Sequence, residues 1–205
     1  MGGGGGTPLP YDAEIEYLES TGTQWIETDV NTVVGNLTFE VKYQFPNVTS
    51  GYKGLGYTTG SQAQAFYGLN ANAATGLYAC FGNNTSSLQK QMSSDKTAIH
   101  VFKVEIINSV IYYYLDGSLI SSSFTTDAFT LPKFTLFGFT NNSGTLISGT
   151  AGGKMYYARL MNNGTTLFDV IPVRIGQTGY LYDRANARFF SNNGTGDFVL
   201  GADKN

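Results

Sequence analysis

An all-β fold, a sandwich or barrel with an antiparallel sheet, is what the sequence predicts, and three observations carry the prediction. Charged residues make up only 13% of the chain while Gly, Asn, Thr, Ser, Tyr and Phe dominate, which favours strands, turns and a neutral polar surface over helices. Short β-prone segments recur along the chain, separated by Gly and Asn turns. No amphipathic helical pattern longer than a turn or two interrupts them. A chain of 205 residues is long enough to bury a substantial core without covalent staples.

The elements follow in order. Residues 1–10, MGGGGGTPLP, have almost no side chains with which to build a core and read as a flexible tether, with Gly2, Gly3, Gly4, Gly5, Gly6, Pro8 and Pro10 as its docking backbone. Residues 11–205 read as a single β domain. In LTFEVKYQF (37–45), Leu37, Phe39, Val41, Tyr43 and Phe45 alternate with Thr38, Glu40, Lys42 and Gln44, the period of a half-buried strand. AIHVFKVEII (98–107) and VIYYYLDGSLISSSF (110–124) continue the series, and Asp116-Gly117 marks a hairpin because both residues tolerate positive φ. FTLFGF (134–139) and KMYYARLMNNGTTLFDVIPV (154–173) follow, the second with a turn at Asn162-Asn163-Gly164.

The totals also exclude function classes. Twelve basic residues against 15 acidic ones give a formal charge of −3, and no basic cluster of the kind that neutralises phosphates is present, so nucleic acid is not an expected partner. One cysteine, Cys80, and one histidine, His100, supply neither a disulfide framework nor a zinc site. No apolar run approaches the roughly 18 residues that span a bilayer, and the amino terminus has no basic-then-apolar signal pattern, so neither membrane insertion nor the usual export route is expected.

Two segments carry a family likeness. IEYLESTGTQWIETDV (15–30) and KMYYARLMNNGTTLFDVIPVRIGQTGYLYDRANARFFSNNGTGDFVLG (154–201) resemble the opening and closing regions of a concanavalin A-like, laminin-G-like module. The resemblance implies a jelly-roll β-sandwich of two antiparallel sheets. It departs from the pattern at Glu27, where Asp is usual, and at Val173, where Cys is common. Modules of this kind recur in gut-bacterial surface proteins and in the tail, fibre and capsid-associated proteins of gut phages. The resemblance makes Gly22 a turn residue, and Thr23–Thr28 a strand whose alternate residues, Trp25 included, enter the core. It makes GYLYD and NGTGDF a hairpin that seals one edge, with Tyr180, Tyr182, Phe189, Phe190 and Phe198 as burial.

The opening also contains EIEYLE (14–19), whose carboxylates resemble the E-x-D-x-x-E array of sandwich-fold glycoside hydrolases. Retaining chemistry needs two carboxyls about 5–5.5 Å apart. On one regular strand Glu14 and Glu16 share a face while Glu19 points to the other, so no catalytic residue is expected. His100 has no nucleophile elbow beside it, and GLGYTTG (54–60) opens no helix that could receive a phosphate. No cofactor is expected; the resemblance admits calcium at the loop rim through Asp29, Asp95 or Asp127, although no clustered D-x-D-x-D run is present.

Recognition is the remaining chemistry. Aromatic faces stack on sugar C–H surfaces, and neutral amides pair with hydroxyls. Tyr52, Tyr57, Tyr67 and Tyr78 are the candidate stacking residues, with Asn83, Asn84, Asn141 and Asn142, and also Asn70 and Asn72, as hydrogen-bonding partners. The expectation is a non-enzymatic virion-surface protein of a phage, whether fibre, capsid decoration or tail, that displays a carbohydrate-binding, host-adhesion sandwich. Its arm would attach it to other virion proteins, and a homo-oligomer would multiply weak contacts with a cell-surface glycan. The alternatives are a purely architectural virion protein and a bacterial surface or secreted lectin-like domain.

Overall fold

The computed structural model describes residues 8–58, 66–82, 88–124, 130–141 and 143–204. Gly2, Gly3, Gly4, Gly5 and Gly6 of the expected arm lie outside the described residues, whereas Pro8 and Pro10 lie within them and are exposed.

The chain opens with β1 (Ala13–Glu14), β2 (Leu18–Ser20), β3 (Ile26–Glu27), β4 (Asn31–Val33) and β5 (Leu37–Gln44). Its middle forms β6 (Tyr52–Thr58), β7 (Phe66–Asn72), β8 (Gly76–Gly82) and β9 (Lys90–Ser93), then β10 (His100–Ile107), β11 (Val110–Leu115) and β12 (Ser118–Phe124). Short strands β13 (Thr130–Pro132), β14 (Thr135–Leu136) and β15 (Phe139–Thr140) precede the long pair β16 (Gly153–Asn162) and β17 (Thr165–Ile175). The chain ends with β18 (Thr178–Asp183), β19 (Arg188–Phe190) and β20 (Val199–Leu200).

A larger sheet runs β12-β11-β10-β5-β16-β17-β18-β19, with β1 beside β17, and with β2 joined to both β16 and β20. A smaller sheet runs β15-β6-β7-β8-β9, and all its pairs are antiparallel except β15 with β6. The fold is thus an all-β sandwich of antiparallel sheets.

Alternation decides which side of each strand is buried. In β5, Leu37, Phe39, Val41 and Tyr43 are buried and Thr38, Glu40, Lys42 and Gln44 are not. Across the gap Phe39 meets Phe81 of β8 with ring centroids 5.9 Å apart, and Phe134 at 4.8 Å. Each such ring contributes roughly 1.5–3 kcal/mol by leaving water. The Tyr113 hydroxyl crosses to donate to the Leu88 carbonyl at 2.7 Å, so this buried phenol is satisfied. Burial pushes the Cys80 thiol up to about 12, which leaves it an inert core group. The Asp116-Gly117 hairpin has φ values of 49° and 80°, and Asn163-Gly164 has 49° and 77°, the left-handed conformations their side chains allow.

The opening segment differs from expectation. Thr23–Thr28 is not one strand: only Ile26–Glu27 forms β3, and Gln24, Ile26 and Thr28 point inward while Trp25 is half-buried on the opposite parity. The physical reason is the Gln24 side chain. Its Oε1 accepts from the Thr21 amide at 2.9 Å, and its Nε2 donates to the Asp197 carbonyl at 2.9 Å. Thr23 Oγ1 donates to the Thr195 carbonyl at 2.7 Å, and the Trp25 amide donates to Asn192 Oδ1 at 3.2 Å. The opening and closing motifs are therefore clasped to one another. NGTGDF is the loop half of that clasp, and the sheet edge is formed by the β18–β19 hairpin alone. Tyr180, Tyr182 and Phe189 also depart from expectation: they lie on the outer face, half-buried over Ile171 and Val173, whereas Phe190 and Phe198 enter the core.

Candidate functional site

At one end of the smaller sheet the loop 47–51, the start of β6 and the loop 148–150 enclose a cleft of about 380 Å³. Its polar lining is Asn47, Thr49, Ser50, Tyr52, Lys53, Ser148 and Thr150. The two loops are distant in sequence and are brought together by backbone bonds. The Gly54 amide donates to the Thr150 carbonyl at 2.9 Å, and the Ala73 amide to the Gly51 carbonyl at 3.0 Å. Thr150 is 2% exposed; its hydroxyl donates to the Ile147 carbonyl at 2.7 Å and accepts from the Phe139 amide at 3.1 Å. Lys96 reaches under the other wall and donates to the carbonyls of Val48 and Ala73.

Gly54 shapes the floor. A Cβ there would lie 2.1 Å from Phe139 Cζ, so only glycine lets the Phe139 ring cross β6 at this point. That ring in turn stands 6.0 Å from Tyr52, which holds the tyrosine half-buried at the cleft wall. Apart from Thr150, the lining side chains make no hydrogen bond or ion pair to other described residues. Five neutral polar groups and one ammonium, that of Lys53, remain unspent beside one aromatic ring, and no carboxylate lines the cleft.

The tyrosines singled out in the sequence divide by parity. Tyr52 pairs with Asn72, and Asn70 with Tyr78, so all four stand on the outer face of the smaller sheet. Asn72 spends its Oδ1 on the Ala74 amide at 2.8 Å. Tyr57 and Tyr67 pair with each other on the inner face, 8% and 2% exposed, with rings stacked at 6.2 Å. These two serve packing. Asn141 accepts from the amides of Ser143 at 3.0 Å and Thr145 at 3.1 Å, so its carbonyl closes its own loop. Asn83, Asn84 and Asn142 lie outside the described residues. Asn47, Thr49 and Ser148 are lining residues that sequence reasoning missed. The polar run NVTS after Pro46 was visible, but nothing in the sequence shows that 148–150 docks beside it.

Two of the three candidate calcium donors, Asp29 and Asp95, are occupied elsewhere. Asp29 is ion-paired with Arg188. Asp95 caps its own turn, and the Thr97 amide, helped by that of Ala98, holds its carboxyl below the usual carboxylate range. Asp127 lies outside the described residues, and no group of three metal-ligating side chains occurs among those described.

The acidic array is broken up. The expected single strand through residues 14–19 is not formed, because the chain bends at Glu16 and splits into β1 and β2. The Glu16 amide is drawn to the Ala202 carbonyl at 2.8 Å. Glu14 accepts from the Tyr11 hydroxyl at 3.1 Å, and Glu19 pairs with Lys154 at 3.7 Å, so strand pairing rather than pleat parity separates their roles. His100 Nδ1 lies 2.7 Å from Asp116 Oδ2, while its Nε2 is buried without a partner among the described residues.

No protein-family model matches the sequence, and no curated protein matches it. Among solved structures, the chain is similar to the CBM40 module of an IT-sialidase from Ruminococcus gnavus. Bound to α2,3-sialyllactose, that module aligns at a TM-score of 0.52 and 13% identity, over 71% of this chain and 89% of the module. A second structure of the module aligns at 0.51 and 13% identity, over 74% of this chain and 91% of the module. At this identity the likeness shows the fold, a β-sandwich of the kind that carbohydrate-binding modules adopt.

Proposed function

We propose that the protein is a non-enzymatic carbohydrate-binding sandwich whose glycan site is the cleft between residues 47–53 and 148–150. The observation that carries the reading is the set of unspent neutral hydroxyl and amide groups around the half-buried Tyr52 ring. A sugar offers hydroxyls to the first and a C–H face to the second, and desolvating paired groups is cheaper than desolvating bare ones. The similarity to a module whose structure holds a sialylated sugar supports the same ligand class. On the virion the module would serve host adhesion, attached through residues 1–10, as the motif resemblance suggests. Residues Asn70, Asn72 and Tyr78 extend the recognition face beyond the cleft.

Glycan-array screening followed by calorimetry tests the reading. Tyr52→Ala is expected to weaken binding of the best glycan by about tenfold or more, the scale of one lost aromatic contact. Binding that survives Tyr52→Ala and Ser148→Ala unchanged would place the sugar elsewhere.

One observation favours a second reading. Tyr180, Tyr182 and Phe189 cover Ile171 and Val173 on the outer face of the larger sheet, a half-buried apolar cluster suited to a protein interface in an architectural particle protein. Absence of any glycan binder, with this cluster protected in assembled particles, would favour it.

A further inference from the structure

The edges of the two sheets are not equally defended. An unpaired strand edge offers a row of amide and carbonyl groups to any other strand, and proteins blunt it by shortness, charge, proline or bulges. At the far side of the larger sheet, β19 spans only Arg188–Phe190, and Arg188 is ion-paired with Asp29 and Asp183. In the smaller sheet β15 has two residues, and β9 has four, with Lys90 and a register shift against β8. β12 is different. It has seven residues, SLISSSF, with no charge and no proline, and it pairs only with β11 among the described residues.

The strand also exposes what a soluble edge usually hides. Phe124 is 78% exposed, Leu119 56% and Ile120 41%. Phe124 pairs with Val110, which pairs with the exposed Ile107, so an apolar row crosses the last strands of the sheet. One blunting device is present: Ile120 is skipped in the pairing with β11, a bulge between Tyr113 and Tyr114. The ladder from Ser121 to Phe124 beyond it is regular.

We infer that β12 is a self-association edge, whose partner is the β12 of a second copy of this chain in antiparallel register. The strand is self-complementary. A twofold axis through Ser122 places Ser121 opposite Ser123, small against small, and brings Phe124 of each copy beside the bulged Ile120 of the other. No like charges meet, because the segment has none. Among the described residues the other edges, those of the two-stranded pairs β4–β13 and β3–β14 included, are short or charged, so pairing through β12 closes as a dimer and does not grow into a filament. The regular ladder is short, so the affinity belongs to the weak, micromolar class of small interfaces. Such a dimer joins the larger sheets of two copies, each with its own cleft at the smaller sheet, and on the proposed glycan-binding reading the second contact becomes intramolecular on a glycan-coated surface.

Sedimentation velocity of the full chain from about 1 to 100 µM tests this. The wild type is expected to shift from monomer to dimer across that range. Ser122→Lys sets two ammonium groups against each other on the axis, and Ser122→Glu sets two carboxylates; each is expected to weaken the dimer at least tenfold while circular dichroism and melting stay those of the wild type. An equimolar mixture of the two variants is expected to restore association, because the opposed charges then attract. A wild type that stays monomeric at the highest concentration, a Ser122→Lys variant that dimerises as tightly as the wild type, or a mixture that stays monomeric would each overturn the inference.

Discussion

Along the larger sheet and its borders most charges are partnered, Arg159 of β16 being an exception. Lys103 bonds Glu105 at 3.1 Å and lies 4.3 Å above the Tyr114 ring, Glu40 accepts from the Tyr157 hydroxyl at 3.0 Å, and Arg184 pairs with Asp169 at 2.9 Å. At the cleft on the smaller sheet, Lys53, Tyr52, Asn47, Thr49, Ser50 and Ser148 have no such partners among the described residues. Groups already bonded gain little from a ligand, because binding must first break what they have. Groups left open gain the full exchange of water for sugar. On the proposed function one sheet is the scaffold and the other the recognition surface, although both expose polar residues.

The sharpest way to break this contrast is to remove a partner from the scaffold. Asp183 is fully buried in β18 and accepts from the Asp169 amide at 3.0 Å, the Ala185 amide at 3.1 Å, Asn186 Nδ2 at 2.7 Å and Arg188 Nε at 3.2 Å. Asp183→Ala strands all four donors, and a loss of about 3–5 kcal/mol in urea unfolding is expected. A loss under about 1 kcal/mol would mean that the network is ornamental and the scaffold reading mistaken. Gln24→Ala comes next. It opens the clasp between the two ends of the chain at Thr21 and Asp197, for an expected cost of about 1–3 kcal/mol, with amide exchange quickened in 193–201 and glycan affinity unchanged.

How far the sequence reveals these regions depends on the range of the interactions. Strand β5 was legible residue by residue, because one buried face imposes a period of two. Asp116-Gly117 was legible because the turn is decided by two adjacent residues. Trp25 was misjudged because its parity is set by Gln24, whose amide is used 173 residues away. The tyrosines show the same limit. Alternation places Tyr52 and Tyr57 on opposite faces of β6, but only the packing of Phe81 on Phe39 says which face is inside. The cleft itself needed the docking of 148–150 beside β6, a long-range contact with no local signature.

The smallest expected effect separates the two regions by pH. Arg174 donates two bonds to Asp203, at 2.7 and 2.6 Å, and these hold the exposed carboxyl below the usual Asp range. A carboxyl whose folded pKa is depressed stabilises the fold above its unfolded value, about 3.9, and loses that contribution as pH falls through the folded value. Asp203→Asn is therefore expected to lower the melting temperature slightly at pH 7, with the gap from wild type closing below about pH 4. The pair is solvent-exposed, so added salt narrows the gap further. The cleft has no carboxylate and no histidine in its lining, so affinity for a neutral glycan stays level between pH 7 and about pH 5, where the fold is intact. Binding that titrates in that interval would move the site to a surface with acidic or imidazole groups, and the division of labour between the sheets would fail with it.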